Sequence, residues 1–405
     1  MTARRAAVGA GSAVLALVAS ASLLAWRDDS ALVPRGGGVV REGSAWLFLL
    51  LVVAAFAAYV IGLVLLGRDP ARLRFVALVA IAVQLVPLGA PLLLSTDAWT
   101  YWGYGWIAAD GGGNPYVDRP EAFPQSPALS HMGAEWRHTT TVYGPGFTLL
   151  SEPVAEAAGS SADAAAWIFK GLAAAGVLVA AFAVARAVRR PAFGAAFVGW
   201  NPVIAIHAAG GGHNDALVAG LVATGVAFAV HRRTALSGAA WALAALVKWV
   251  PAVFLALTVL TARARGRPTG LLAAVTTAGA FAVVATWRYG LDWLSAIGPL
   301  VDNAERTTSY ALPSRLEDLG LPHAGALTLA VVALAAGLLW LAHDALLGRA
   351  RVGRAACLLL ATTPYLAVWY LAWAVSLAAV DEDDVLARAA ALALTAYLLP
   401  QTIPI

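Results

Sequence analysis

The run AWLFLLLVVAAFAAYVIGLVLL, from Ala45 to Leu66, contains no charged residue. It is apolar at every step, without alternation, and about 20 such residues cross a hydrocarbon core of roughly 30 Å. Runs of this kind recur. Spans are placed at roughly 6–26, 45–66, 75–94, 163–186, 191–209, 215–231, 234–262, 269–287, 324–347, 355–379 and 386–403. Hydrophobic residues make up 60% of the 405 and charged residues only 12%, with a mean hydropathy of +0.75. A water-soluble domain of this length carries far more charge. Continuous apolar runs also exclude a β-barrel, whose strands alternate. The fold class is therefore all-α: a polytopic integral membrane protein of about 11–13 transmembrane helices, read as one transmembrane domain over residues 1–405.

The net charge of +4 does not point to nucleic acid, because the basic residues are scattered over short loops. The single cysteine, Cys357, lies inside an apolar run, so disulfides play no part. The first apolar stretch is followed by Asp28-Asp29 instead of a small-residue cleavage site, and reads as a retained first helix.

Arginines cluster in alternate loops: Arg4-Arg5; Arg68, Arg72 and Arg74; Arg186, Arg189 and Arg190; Arg232-Arg233; Arg263, Arg265 and Arg267; Arg349, Arg351 and Arg354. The positive-inside rule puts these loops and the N-terminus in the cytoplasm of a plasma-membrane protein. The opposite loops take nearly all the acid, including Asp302 and the run Asp381-Glu382-Asp383-Asp384. The segment 234–262 breaks the alternation, since arginines flank both its ends. Its middle reads Lys248-Trp249-Val250-Pro251. Proline ends or kinks a helix, and a lysine at mid-bilayer costs about 2.5–3.5 kcal/mol. A re-entrant or broken helix pair turning near Lys248 satisfies both facts, with Lys248 lining a cavity. The larger outer loops are 95–162 and 288–322.

The chemistry-bearing residues gather toward the acidic face. Ser95-Thr96-Asp97 is followed by a cluster of aromatic rings, and Asp97, Tyr101 and Tyr104 share one helical face. Asp97 is either a general base or a first-turn acid held by the helix dipole. Most of the tryptophans nearby fit an interfacial belt. Gly210-Gly211-Gly212-His213-Asn214-Asp215 offers donors and acceptors for a phosphate or sugar hydroxyl, or simply caps the next span. Its spacing does not mark a metal site. Lys248 suits an anion, either a phosphate or a partner such as Asp97 or Asp215; Arg288 and Arg306 offer similar charge from a loop. Trp369, Tyr370 and Trp373 are core, belt or sugar platform. No nucleotide-binding fingerprint is present, so a donor acting at the outer face must be carried there on a lipid.

Taken in order, Ser95-Thr96-Asp97 with Tyr101, Asn114-Pro115-Tyr116, Tyr143-Gly144-Pro145, Gly212-His213-Asn214-Asp215-Ala216-Leu217, Ala245-Leu246-Val247-Lys248 with Pro251, and Trp369-Tyr370 with Trp373 resemble the actinobacterial polyprenol-phosphate-mannose-dependent mannosyltransferases of the C-type (GT-C) glycosyltransferase superfamily. The likeness is to the α-1,6-mannosyltransferases of lipomannan synthesis, and it runs from about 95 to 375. It implies a GT-C fold with an active-site outer loop, a polyprenyl-phosphate-mannose donor, and a glycan or glycolipid acceptor among membrane lipids. It maps the catalytic base onto Asp97. Lys248, His213, Asn214, Asp215 and Arg306 become candidates for the donor phosphate. Tyr101, Tyr104, Tyr143, Trp369 and Tyr370 become candidate sugar or lipid contacts. A phosphate leaving group lessens the need for a metal, so no cofactor and no essential metal are expected. The alternatives are another polyprenyl-phosphate sugar, such as arabinose or glucose, and a lipid-linked sugar transporter or flippase.

Overall fold

Backbone amides inside a bilayer have no water to bond, so an apolar chain satisfies them within itself as helix. The computed structural model describes residues 3–27, 30–34, 42–298 and 306–402; among these are seventeen α-helices and no strand. They are α1 Ala3–Leu23, α2 Glu42–Arg68, α3 Leu73–Leu85, α4 Asp97–Ala109, α5 Pro145–Ala158, α6 Ala162–Ala187, α7 Pro191–Gly199, α8 Pro202–Ala205, α9 Asp215–Val230, α10 Thr234–Val247, α11 Pro251–Ala264, α12 Leu271–Tyr289, α13 Leu312–Asp318, α14 His323–Leu346, α15 Val352–Thr362, α16 Leu371–Val380 and α17 Val385–Leu398. Asp28, Asp29 and Asp302 lie outside the described residues, as does the side chain of Arg4.

Among the described residues, six helical stretches are long and apolar enough to cross a membrane alone: Arg5–Trp26, Ser44–Arg68, Ala162–Ala187, Leu271–Tyr289, His323–Leu346 and Val385–Thr402. Helices α12 and α14 turn apolar side chains outward, with Leu272, Val283 and Leu339 exposed, as suits contact with lipid. The other apolar helices are shorter or broken, and the breaks build the site.

The span expected at 191–209 is bent by 50° between Pro191–Gly199 and Pro202–Gly210. Pro202 cannot donate to the preceding turn. The Asn201 side chain accepts from the amides of Val203 and Ile204 instead, restarting the helix. The Gln84 amide donates to the carbonyl of Gly199 at 3.1 Å. These bonds make a break tolerable inside a bundle. A π-turn, Ile206–Gly210, then carries His207 into the interior.

Helices α10 and α11 form the hairpin that the flanking arginines and Pro251 suggest. Trp241 and Phe254 face each other across it, ring centroids 6.5 Å apart, and Lys248 sits at its apex between Val247 and Pro251.

A second hairpin was not expected. The segment 355–379, read as a single crossing, is two helices, α15 and α16, joined by a turn over 363–370. The far end of α16 returns to the start of α15, where Arg354 Nε meets Asp384 Oδ2 at 2.5 Å and Arg351 Nη1 meets it at 3.6 Å. Arg189 pairs with Glu382 at 3.2 Å, and also with Asp383. The acidic run Asp381–Asp384 thus lies on the arginine-bearing face, a correction to its placement opposite. Its physical reason is direct neutralisation of three arginines, which the even spread of loop charges conceals.

The arginine clusters do share one face. Arg190 donates to the Gly67 carbonyl at 3.3 Å, and the His231 ring reaches the Arg186 carbonyl at 3.0 Å. Both hairpins open at this basic face, and both apices lie at the other end of the bundle.

Candidate active site

Asp97 begins α4, with its amide donating to the Ser95 hydroxyl at 3.1 Å. Thr96 occupies the capping position without a side-chain capping bond. One turn on, the Tyr101 hydroxyl donates to Asp97 Oδ2 at 3.3 Å, as the i, i+4 spacing suggests. Tyr101 is otherwise buried, edge-on to Tyr143, Phe147 and Phe169 at 4.9–5.3 Å. Tyr104 points away, and its hydroxyl donates to the Thr139 carbonyl at 2.8 Å.

The glycine-rich turn brings a second element to Asp97. Gly212 has φ of +73°, and a Cβ there would lie 3.2 Å from the Cβ of Ala98. Glycine alone suits both conditions. The turn sets His213 Nδ1 at 3.1 Å from Asp97 Oδ2. Trp369, from the apex of the second hairpin, stacks on the same imidazole. Asn214 stands at the start of α9 but makes no side-chain cap, and both its amide atoms are buried without a partner among the described residues.

Lys248 enters from the first hairpin. The apex is seated where Gly144 donates to the Val247 carbonyl at 3.1 Å; a Cβ on Gly144 would fall 2.2 Å from the Leu246 carbonyl. Lys248 Nζ meets Asp215 Oδ2 at 2.6 Å and lies 4.9 Å from the centre of the Tyr370 ring. The Trp373 indole donates to the other Asp215 oxygen at 3.0 Å. Asp215 is thus the structural partner of Lys248.

Asp97, Asp215, Lys248 and Trp369 border one cavity of about 220 Å³, whereas Tyr101, Tyr104, His213 and Asn214 stand behind its wall and do not line it. Asp97, Lys248 and Asp215 supply its charge, and Tyr143, Trp369, Tyr370 and Trp373 supply aromatic wall, with Trp136, Trp249 and Tyr365 added to those foreseen. Side-chain exposure is 14% for Asp97 and 18% for Lys248, against 1% for Asp215 and 1% for His213. The first two are therefore the charges that can meet a substrate. Burial pushes the Asp97 carboxyl up. The hydrogen bond and charge of His213, the charge of Lys248 and the Ser95 hydroxyl outweigh this and hold it below the ordinary value of 3.8.

Arg306 is exposed and does not border the cavity, although its charge reaches Tyr365 on the wall. Arg288 is engaged with Glu152 at 3.0 Å. Among the described residues, no three His, Cys, Asp or Glu side chains cluster as a metal site. One buried charge was overlooked in the sequence. Lys170 of α6, 2% exposed, donates to the carbonyls of Leu88, Ala90 and Pro91, and so anchors the strand of chain leading to Asp97. Its signal was a lysine well inside a 26-residue apolar helix whose other charges, Asp163 and Arg186, lie in its end turns.

The arrangement offers a carboxylate oriented by an imidazole, an ammonium beside it, and aromatic faces suited to a sugar ring. Comparison with known proteins agrees. The family model for the N-terminal domain of alpha-(1->6)-mannopyranosyltransferase matches residues 6–265, and that for glycosyltransferase family 87 matches residues 141–399. Alpha-(1->6)-mannopyranosyltransferase A of Corynebacterium glutamicum is 26% identical over 271 residues, 61% of this chain and 55% of that protein. The protein of the same name from Mycobacterium tuberculosis is 30% identical over 153 residues, 36% of this chain and 29% of its own length. The chain thus spans about half the length of the first relative, 55%, and less of the second. No solved structure matches.

Proposed function

The chain belongs to the alpha-(1->6)-mannopyranosyltransferase family and to glycosyltransferase family 87, and we propose that it transfers mannose from a polyprenyl-phosphate carrier to a glycan or glycolipid acceptor. The observation that carries this reading is the single cavity bordered by both Asp97 and Lys248.

Asp97 accepts the proton of an acceptor hydroxyl as that oxygen attacks the anomeric carbon. The new C–O bond forms on the face opposite the departing phosphate, inverting the centre, and the old bond breaks to release polyprenyl phosphate. His213 orients the carboxylate through Nδ1 and keeps it ionised. A low-lying carboxylate remains an adequate base, because the hydroxyl becomes acidic only as its bond to carbon forms. Lys248 faces the leaving phosphate while Asp215 and Tyr370 hold the ammonium in place. Phosphate leaves as a stable anion, so the proposal includes no metal and no general acid. The aromatic wall binds sugar through ring faces.

By the positive-inside rule the basic face is cytoplasmic, which sets the proposed reaction at the extracytoplasmic end. The test is direct. Purified protein in lipid, given polyprenyl-phosphate-mannose and a short α-mannoside, should release polyprenyl phosphate and lengthen the mannoside by one hexose. Passage of the lipid-linked sugar across vesicles with no bond transferred would contradict it.

A further inference from the structure

A second hollow lies at the basic end of the bundle, far from the candidate active site in function and lining. It encloses about 630 Å³, within the range of sites for small organic ligands. The open end of the first hairpin walls it. Arg232, Arg265 and Arg267 stand exposed at its rim, and Val226 and the buried Trp241 lie further in. No carboxylate among the described residues lines it. The Thr261 hydroxyl, also lining it, is buried with no hydrogen-bond partner among the described residues.

Arginines that only set topology project into water from loops. Four on this face are neutralised besides: Arg349 by Asp344, Arg351 and Arg354 by Asp384, and Arg189 by Glu382. The three at this rim form no ion pair among the described residues, yet they border one hollow. Like charges so placed repel unless an anion joins them. Guanidinium forks match phosphate oxygens in two-point bonds. Apolar depth behind such a rim suits glycerol and acyl carbon, which a small hydrated anion does not bring. Basic pockets between membrane helices are where phospholipid headgroups settle.

We propose that this hollow binds the phosphate headgroup of an anionic phospholipid from the surrounding leaflet. The lipid's phosphate sits among Arg232, Arg265 and Arg267, and its glycerol lies toward Trp241. Residues Ala350 and Val352, at the start of the second hairpin, also line the hollow. An occupant therefore braces the open ends of both hairpins whose apices form the candidate active site.

Native mass spectrometry of the full chain, titrated with phosphatidylglycerol or with phosphatidylcholine, tests this, together with the melting temperature in each lipid. One phosphatidylglycerol should be retained in preference, and it should raise the melting temperature. Arg265→Gln/Arg267→Gln should weaken that retention about 25-fold, roughly fivefold per charge, and abolish the gain. Arg232→Gln alone, expected to lose about fivefold, carries the same test should the double variant misfold. Arg72→Gln/Arg74→Gln, which removes two arginines outside the hollow, should retain the lipid as before. Equal retention of the two lipids, undiminished retention by the Arg265/Arg267 variant, or equal weakening in the Arg72/Arg74 variant would overturn the proposal. Release of the lipid by an equimolar amount of glycerol phosphate would assign the hollow to a soluble phosphate and overturn the lipid assignment.

Discussion

Trp369 lies face to face on His213, ring centroids 3.9 Å apart and planes 10° from parallel. The indole fixes the plane in which His213 Nδ1 reaches Asp97 Oδ2 at 3.1 Å. A stacked aromatic pair contributes about 0.5–1.5 kcal/mol beyond area. Trp369→Leu should lower kcat roughly tenfold, and Trp369→Phe, which keeps a ring, should retain most of it. Steady-state rates of the three proteins check this, and equal losses in Phe and Leu would contradict it.

Lys248 has two duties that substitution can separate. Lys248→Met leaves the buried carboxylate of Asp215 unpaired, which costs about 3–5 kcal/mol of stability. The pair of substitutions Lys248→Met/Asp215→Asn removes that charge and should restore most of the melting temperature. It should not restore donor binding, so KM for the polyprenyl-phosphate sugar stays raised. Recovery of KM together with stability would make Lys248 a structural residue only.

The pH profile distinguishes the base. The Asp97 carboxyl is held below 3.8 in the folded protein, so its ionised form is present above that value and is lost as pH falls through the lowered one. The stability that Asp97 gains from His213 and Lys248 follows the same course, complete above the unfolded value and lost on acidification. The acid limb of kcat/KM should therefore lie below pH 3.8. An acid limb well above pH 3.8 would show that Asp97 is not the titrating group.

Lys170 should matter without touching substrate. Lys170→Met leaves three carbonyls, those of Leu88, Ala90 and Pro91, without their donor. Buried acceptors so exposed cost about 1–3 kcal/mol. The melting temperature and kcat should both fall while KM for donor changes little. An unchanged melting temperature would contradict the anchoring role.

Much of this architecture is legible in the chain itself. Uncharged runs such as Ala45–Leu66 admit few alternatives to a membrane helix. The first hairpin shows because three local signals coincide: Lys248, Pro251 and arginines at both ends. The second is hidden because its apex, Thr363 to Tyr370, carries no charge, and its closing acids look like a loop on the other face. Only long-range pairs, Arg189 with Glu382 and Arg354 with Asp384, reveal where they sit. Asp97 stands out by position, and the i, i+4 bond to Tyr101 follows from helical geometry. The His213–Trp369 stack joins residues far apart in sequence and has no local signature. Lys170 is missed for another reason: its partners are backbone carbonyls, which no pattern of side chains records.

Transfer by Asp97→Asn is the most direct test of the central claim. Asparagine keeps the size and most contacts of the side chain but cannot take the acceptor's proton. With polyprenyl-phosphate-mannose and a short α-mannoside, release of polyprenyl phosphate should fall by about 10²–10⁴, with the melting temperature of the variant close to that of the parent. Release within a few fold of the parent, from a properly folded variant, would show that Asp97 is not the base.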